Sequence, residues 1–124
     1  NRLMDYGTDG ITAFTVLAAG ASATYAPIVL TGLLPPLATT VVLRATLTPN
    51  AAGDILYLRP TNALAGLQST LGLAEMSGDV AAVAHVDMME VLTGTAAGVT
   101  SIDYKLTVNT DAATLVLQGY VDQL

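Results

Sequence analysis

Thr40-Val41-Val42-Leu43-Arg44-Ala45-Thr46-Leu47-Thr48-Pro49 is the stretch on which the fold of this 124-residue chain turns. Val41, Leu43, Ala45 and Leu47 point one way, and Thr40, Arg44, Thr46 and Thr48 the other, with Val42 the exception. Successive side chains leave opposite faces of an extended backbone, so this period of two marks a strand half-buried against a core. Pro49-Asn50-Ala51-Ala52-Gly53-Asp54 follows as a loop of turn-forming residues, and Ile55 to Arg59 resumes as a short strand before Pro60. The two strands read as a hairpin with a loop of a few residues.

The same alternation recurs in Ser101 to Asn109, where Ile102, Tyr104, Leu106 and Val108 face inward and Asp103, Lys105, Thr107 and Asn109 outward. Asn109-Thr110-Asp111-Ala112 turns the chain, and Thr114 to Asp122 is the last strand. Upstream, Asn1 to Gly10 is a turn-rich lead-in. Ile11 to Ala19 reads as a strand, and Tyr25 to Leu34 as another, with Pro27 indicating an edge or a strand start. Asn62 to Met76 has leucines at helical spacing, but Gly66 and Gly72 each cost about 1 kcal/mol inside a helix, so an irregular loop is expected. Asp79 to Gly94 mixes helix-forming Ala, Met and Glu with Val80, Val83, Val86 and Val91; its neighbours on both sides are strands, and it is read as a strand. Short strands at regular spacing, seven or eight in all, predict a single all-β domain over residues 1–124. The expected architecture is an antiparallel, jelly-roll-like β-sandwich.

Only 11% of the residues are charged, while 52% are hydrophobic. A soluble domain ordinarily carries about 25% charged residues, so part of the apolar surface is expected to be buried against a partner. Four Lys and Arg stand against ten Asp and Glu, for a net charge of −6. Arg2, Arg44, Arg59 and Lys105 are dispersed, an arrangement unsuited to a phosphate backbone or an anionic membrane. No charge occurs between Asp9 and Arg44, yet Pro27, Pro35, Pro36, Gly20 and Gly32 interrupt that stretch, and strands explain it better than a spanning helix. The chain opens at Asn1, which reads as a processed or trimmed terminus or a fragment.

Chemistry has few places to reside. There is no cysteine and one histidine. His85 and Asp87 would share a strand face, the spacing of a base and its orienter or of two metal ligands, but no second His completes a usual metal set, and an ordinary polar face is the preferred reading. Asp5, Asp9 and Gly10 follow a calcium loop only in outline, with Gly7 at a ligand position and Val16 in place of the closing acid. Gly94-Thr95-Ala96-Ala97-Gly98 reads as a turn, since no Lys follows to make a phosphate loop. The absence of Trp, with Tyr57 and Tyr120 the outward-facing aromatic candidates, disfavours a sugar-processing groove. No catalytic, cofactor-binding or metal-binding residue is assigned, no cofactor is expected, and the chain is not expected to be an enzyme.

Residues 42–60, from Val42-Leu43-Arg44-Ala45 through Pro49-Asn50-Ala51-Ala52-Gly53-Asp54 to Leu58-Arg59-Pro60, resemble the hairpin of small β-rich virion proteins of tailed bacteriophages. Leu115-Val116-Leu117-Gln118-Gly119-Tyr120-Val121-Asp122-Gln123-Leu124 is similar to their C-terminal strand with its Gly-Tyr-x-Asp step, and Tyr6-Gly7-Thr8-Asp9-Gly10 also fits. The resemblance covers about a third of the chain. It implies a virion structural protein: a capsid decoration (cement) protein that self-associates, a homotrimer being favoured, on the major capsid protein or another virion protein. The alternative it implies is a tail fibre, spike or receptor (glycan)-binding module.

Overall fold

A computed structural model describes residues 2–5, 15–30, 33–34, 38–61, 74–96 and 99–122. Among these the strands are β1 (Arg2–Asp5), β2 (Thr15–Gly20), β3 (Ala26–Val29), β4 (Ala38–Thr48), β5 (Asp54–Pro60), β6 (Ala74–Gly78), β7 (His85–Leu92), β8 (Gly94–Ala96), β9 (Val99–Leu106) and β10 (Ala112–Asp122). No helix occurs among the described residues.

The strands form two antiparallel sheets. The first runs β1-β10-β4-β7. β1 and β2 share one edge of β10 end to end: Arg2 lies opposite Asp122 and Asp5 opposite Gly119, while Thr15 lies opposite Val116 and Gly20 opposite Ala113. The second sheet runs β3-β9-β5-β6, with β8 also on β9. The sheets bury Val41, Leu43, Ala45, Leu47, Met89, Val91, Leu115 and Leu117 of the first against Leu56, Leu58, Ile102, Leu106 and Met76 of the second. Each strand contributes alternate residues, and two such apolar faces exclude water only when laid on each other. The protein is an all-β antiparallel sandwich.

Several local expectations change. β4 and β5 do not pair with each other: β4 lies between β10 and β7, and β5 between β9 and β6. Residues 49–53 therefore carry the chain across from one layer to the other. Gly53 takes φ +91°, a left-handed conformation that costs glycine little, and its N–H reaches Gly78 O at 2.8 Å. Strands with one apolar face each are better buried across the core than side by side. Residues 107–111 likewise cross between β9 and β10 rather than closing a hairpin. β9 ends at Leu106, so Val108, expected inside, is exposed in the turn.

Asp79 to Gly94 is not one strand. Residues 79–84 form a turn in which Ala82 takes φ +61° and donates its N–H to Pro49 O at 2.8 Å; β7 follows. Gly94 to Ala96, expected as part of a turn, pairs as β8 with Val99–Ser101, and residues 97–98 lie outside the described set. Arg2–Asp5 of the expected lead-in is a strand, β1, because β10 offers it an open edge. Residues 74–76, expected as loop, belong to β6. The Tyr6–Gly10 turn, the first part of the expected 11–19 strand, Pro35-Pro36 and residues 62–73 lie outside the described residues. Pro27 does sit on an edge strand, β3, as expected.

Candidate interaction surface

β7 is the last strand of its sheet and pairs with β4 along its whole length: Val86 lies opposite Thr46, Met88 opposite Arg44, Glu90 opposite Val42 and Leu92 opposite Thr40. Its odd-numbered Met89 and Val91 enter the core. Its even positions face away from the core, and three are large and apolar: Val86 is 63% exposed, Met88 49% and Leu92 50%. The turn before β7 adds Val80 at 54% and Val83 at 50%. Val80 is held at the start of the strand by its N–H, 3.4 Å from His85 Nε2. Residues 80–92 thus contribute five exposed large apolar side chains, with Val29 and Val108 lying elsewhere.

The open edge of β7 is guarded. Asp87 and Glu90 are exposed, and Met88 N–H donates to Asp87 Oδ1 at 2.8 Å, occupying a donor that a further strand would need. Charged side chains on an edge suppress strand-to-strand pairing. What β7 offers a neighbour is its face.

His85 and Asp87 do not act as a couple in this arrangement. Half-buried His85 accepts the Val80 N–H through Nε2, while its Nδ1 has no hydrogen-bond partner. Asp87 uses Oδ1 on Met88. Among the described residues no group of three or more His, Asp or Glu is placed to hold a metal ion.

The outer face of the second sheet is built differently. Arg59 on β5 and Asp103 on β9 are opposite each other, with Arg59 Nε 3.1 Å from Asp103 Oδ2. The Thr61 hydroxyl lies 2.7 Å from Asp103 Oδ1 and 2.9 Å from Ser101 Oγ. Ser101 Oγ in turn donates to Ile28 O at 3.1 Å. The Arg59 guanidinium stacks over the Tyr25 ring at 3.5 Å, and Lys105 Nζ stands 5.0 Å from Tyr25 and 4.7 Å from Tyr57. Burial raises the Tyr25 phenol above its ordinary value, against the lowering pull of Arg59. Asp103, expected to face solvent, is buried under this network. The Thr61 and Ser101 hydroxyls and the Asp103 carboxylate are engaged with one another, with Arg59 and with the Ile28 carbonyl. Tyr57 is on the outer face as expected, half-buried beside Lys105, and one face of Tyr25 is taken by Arg59. Tyr120, the other outward candidate, lies opposite fully buried Val41 and is half-buried on the inner side.

Sequence reasoning missed the exposure of the Val86, Met88 and Leu92 row, which carried a signal: even positions in 86–92 include three apolar residues where a solvated face would have polar ones. It also missed the Thr61–Ser101–Asp103 cluster, since Thr61 is brought there from beyond β5.

Compared with protein-family models, with the curated proteins and with solved structures, the chain finds no match in any of the three. The class these features define is an antiparallel β-sandwich with a hydrogen-bonded polar cluster on the outer face of one sheet and a row of exposed apolar side chains on β7 of the other.

Proposed function

We propose that the protein is a structural, non-enzymatic component of a virion, a capsid decoration protein of a tailed bacteriophage. It associates with copies of itself through the outer face of β7 and stabilises the particle by packing on the capsid protein. The observation that carries the association is the row Val86, Met88 and Leu92, continued by Val80 and Val83, each about half exposed or more on a folded domain. Apolar side chains grouped in this way mark interaction sites. The face carries both signs of charge, Arg44 opposite Met88 and Glu90 on β7, so two copies can meet without like charges opposed. The virion and the favoured trimer come from the sequence resemblance of residues 42–60 and 115–124, the first of which links the two layers here and does not close a hairpin.

The fibre or receptor-binding reading asks for open aromatic platforms. The Arg59 stacking on Tyr25 and the Lys105 position between Tyr25 and Tyr57 make it the weaker of the two. Imaging of the native particle tests the choice. A decoration protein appears as symmetric density on the shell, in contact with its copies. Density confined to the tail, or no density on any particle, overturns the proposal.

A further inference from the structure

We propose that Asp54 and Asp111 form a proton-dependent latch that ties together the crossovers at one end of the sandwich. Three of the connections that pass between the sheets there are residues 49–53, 79–84 and 107–111. Thr48 lies opposite Ala112, which places the first and third side by side, and the Ala82 N–H bond to Pro49 O joins the second to the first. Asp54 opens β5 and is 9% exposed; Asp111 precedes β10 and is 2% exposed.

Asp111 Oδ1 accepts the Asn50 N–H at 2.7 Å, which crosses from one turn to the other, and its Oδ2 lies 3.3 Å from the Val108 N. Asp54 Oδ2 accepts the Ala51 N–H at 3.1 Å. Asn50 and Ala51 are adjacent in the chain, so the two carboxyls they donate to are brought within hydrogen-bonding reach of each other. Two carboxylates cannot share a hydrogen bond unless one holds a proton. With the proton present, the Asp54 hydroxyl donates to Asp111 and the turns are clamped. When it leaves, two negative charges face each other at a largely buried position.

The donor set favours a proton over a metal ion, because three of the four oxygens already face backbone N–H groups. Titratable neighbours are few. Asp79 follows Gly78, which lies opposite Asp54, and His85 begins β7 opposite Leu47. Tyr57 and Arg59 stand on the other face of β5, and Lys105 is held over the tyrosine rings. The turns 49–53 and 107–111 carry no titratable residue other than Asp111.

The bond to Asp111, with burial second, raises the Asp54 carboxyl from its ordinary value. The folded state therefore holds this proton more tightly than the unfolded chain. The latch contributes fully below the unfolded-state value of about 3.9, and its contribution is lost as pH rises through the raised folded-state value. This is the reverse of an ion-paired aspartate.

Thermal unfolding of the wild type and Asp54→Asn between pH 3.5 and 8 tests the latch. An asparagine amide can donate to Asp111 at every pH. Asp54→Asn is expected to melt a few degrees above wild type at pH 7 and level with it or below at pH 3.5. Asp79→Asn, which removes the same charge from an exposed neighbour, is expected to show no such pH-dependent gain. An Asp54→Asn difference that is constant with pH, or equal to that of Asp79→Asn, overturns the proposal. Should the variant not fold, carboxyl-carbon NMR of the wild type decides. Asp54 titrating above its ordinary value supports the latch; an ordinary Asp54 titration overturns it.

Discussion

The outer faces of the two sheets are made from the same alternating grammar and end in opposite conditions. On β9 the outward residues Ser101 and Asp103 are polar, yet both are buried, because Thr61, Arg59 and Tyr25 close over them. On β7 the outward residues Val86, Met88 and Leu92 are apolar, yet they stay exposed. A polar side chain can be buried once every hydrogen-bonding atom has a partner, and the chain supplies those partners itself. An apolar side chain needs only cover, and no described residue supplies it for the outer row of β7.

Substitutions distinguish the two faces. The largest effect is expected at the sealed one. Asp103→Ala leaves the Arg59 Nε without its acceptor and takes from the Thr61 hydroxyl the nearer of its two, and should cost about 3 kcal/mol in urea unfolding. Asp87→Ala on β7 should change stability by less than about 0.5 kcal/mol. Nearly equal losses at the two sites would show that the β9 network does not seal its face.

At the open face the expected loss is in association rather than folding. Replacing Val86, Met88 and Leu92 together by Ser removes side chains worth about 1 kcal/mol each when half-exposed area is buried. Self-association should weaken by about 100-fold, with each single change altering monomer stability by less than about 0.5 kcal/mol. Equilibrium sedimentation alongside denaturant titration separates the two quantities.

A smaller effect sharpens the sealed face. Arg59→Lys keeps the charge but loses the Nε donor to Asp103 and the planar stack on Tyr25, and should cost about 1 kcal/mol in the same urea titration. The smallest effect concerns the turn that presents Val80 and Val83. Ala82 holds φ +61° there. Ala82→Gly relieves that strain at some cost in unfolded-state entropy, for a net gain of a few tenths of a kcal/mol, read as a small rise in Tm.

The layers were legible in the sequence because alternation reports directly on which residues meet the core. Val41, Leu43, Ala45 and Leu47 are all fully buried, as are Ile102 and Leu106. Pairing was not legible. The loop 49–54 has a hairpin's composition, and whether such a loop folds back or crosses over is decided by β10 and β6, which lie far along the chain. The split of 79–94 turned on Ala82, a residue whose type gives no warning of a left-handed conformation. The candidate surface was visible only as a shortage of charge; its location required knowing that β4 covers one side of β7 and that nothing among the described residues covers its outer face. The Asp54–Asp111 contact was beyond reach for the same reason, since it joins two turns that composition describes as ordinary.

Sedimentation velocity of the wild-type protein from micromolar to near-millimolar concentration tests the central claim, that the outer face of β7 is buried between copies, most directly. The sedimentation coefficient is expected to rise with concentration, and to stay that of a monomer throughout when Val86, Met88 and Leu92 are all serine. A wild type that remains monomeric over the whole range, indistinguishable from that variant, would contradict that claim.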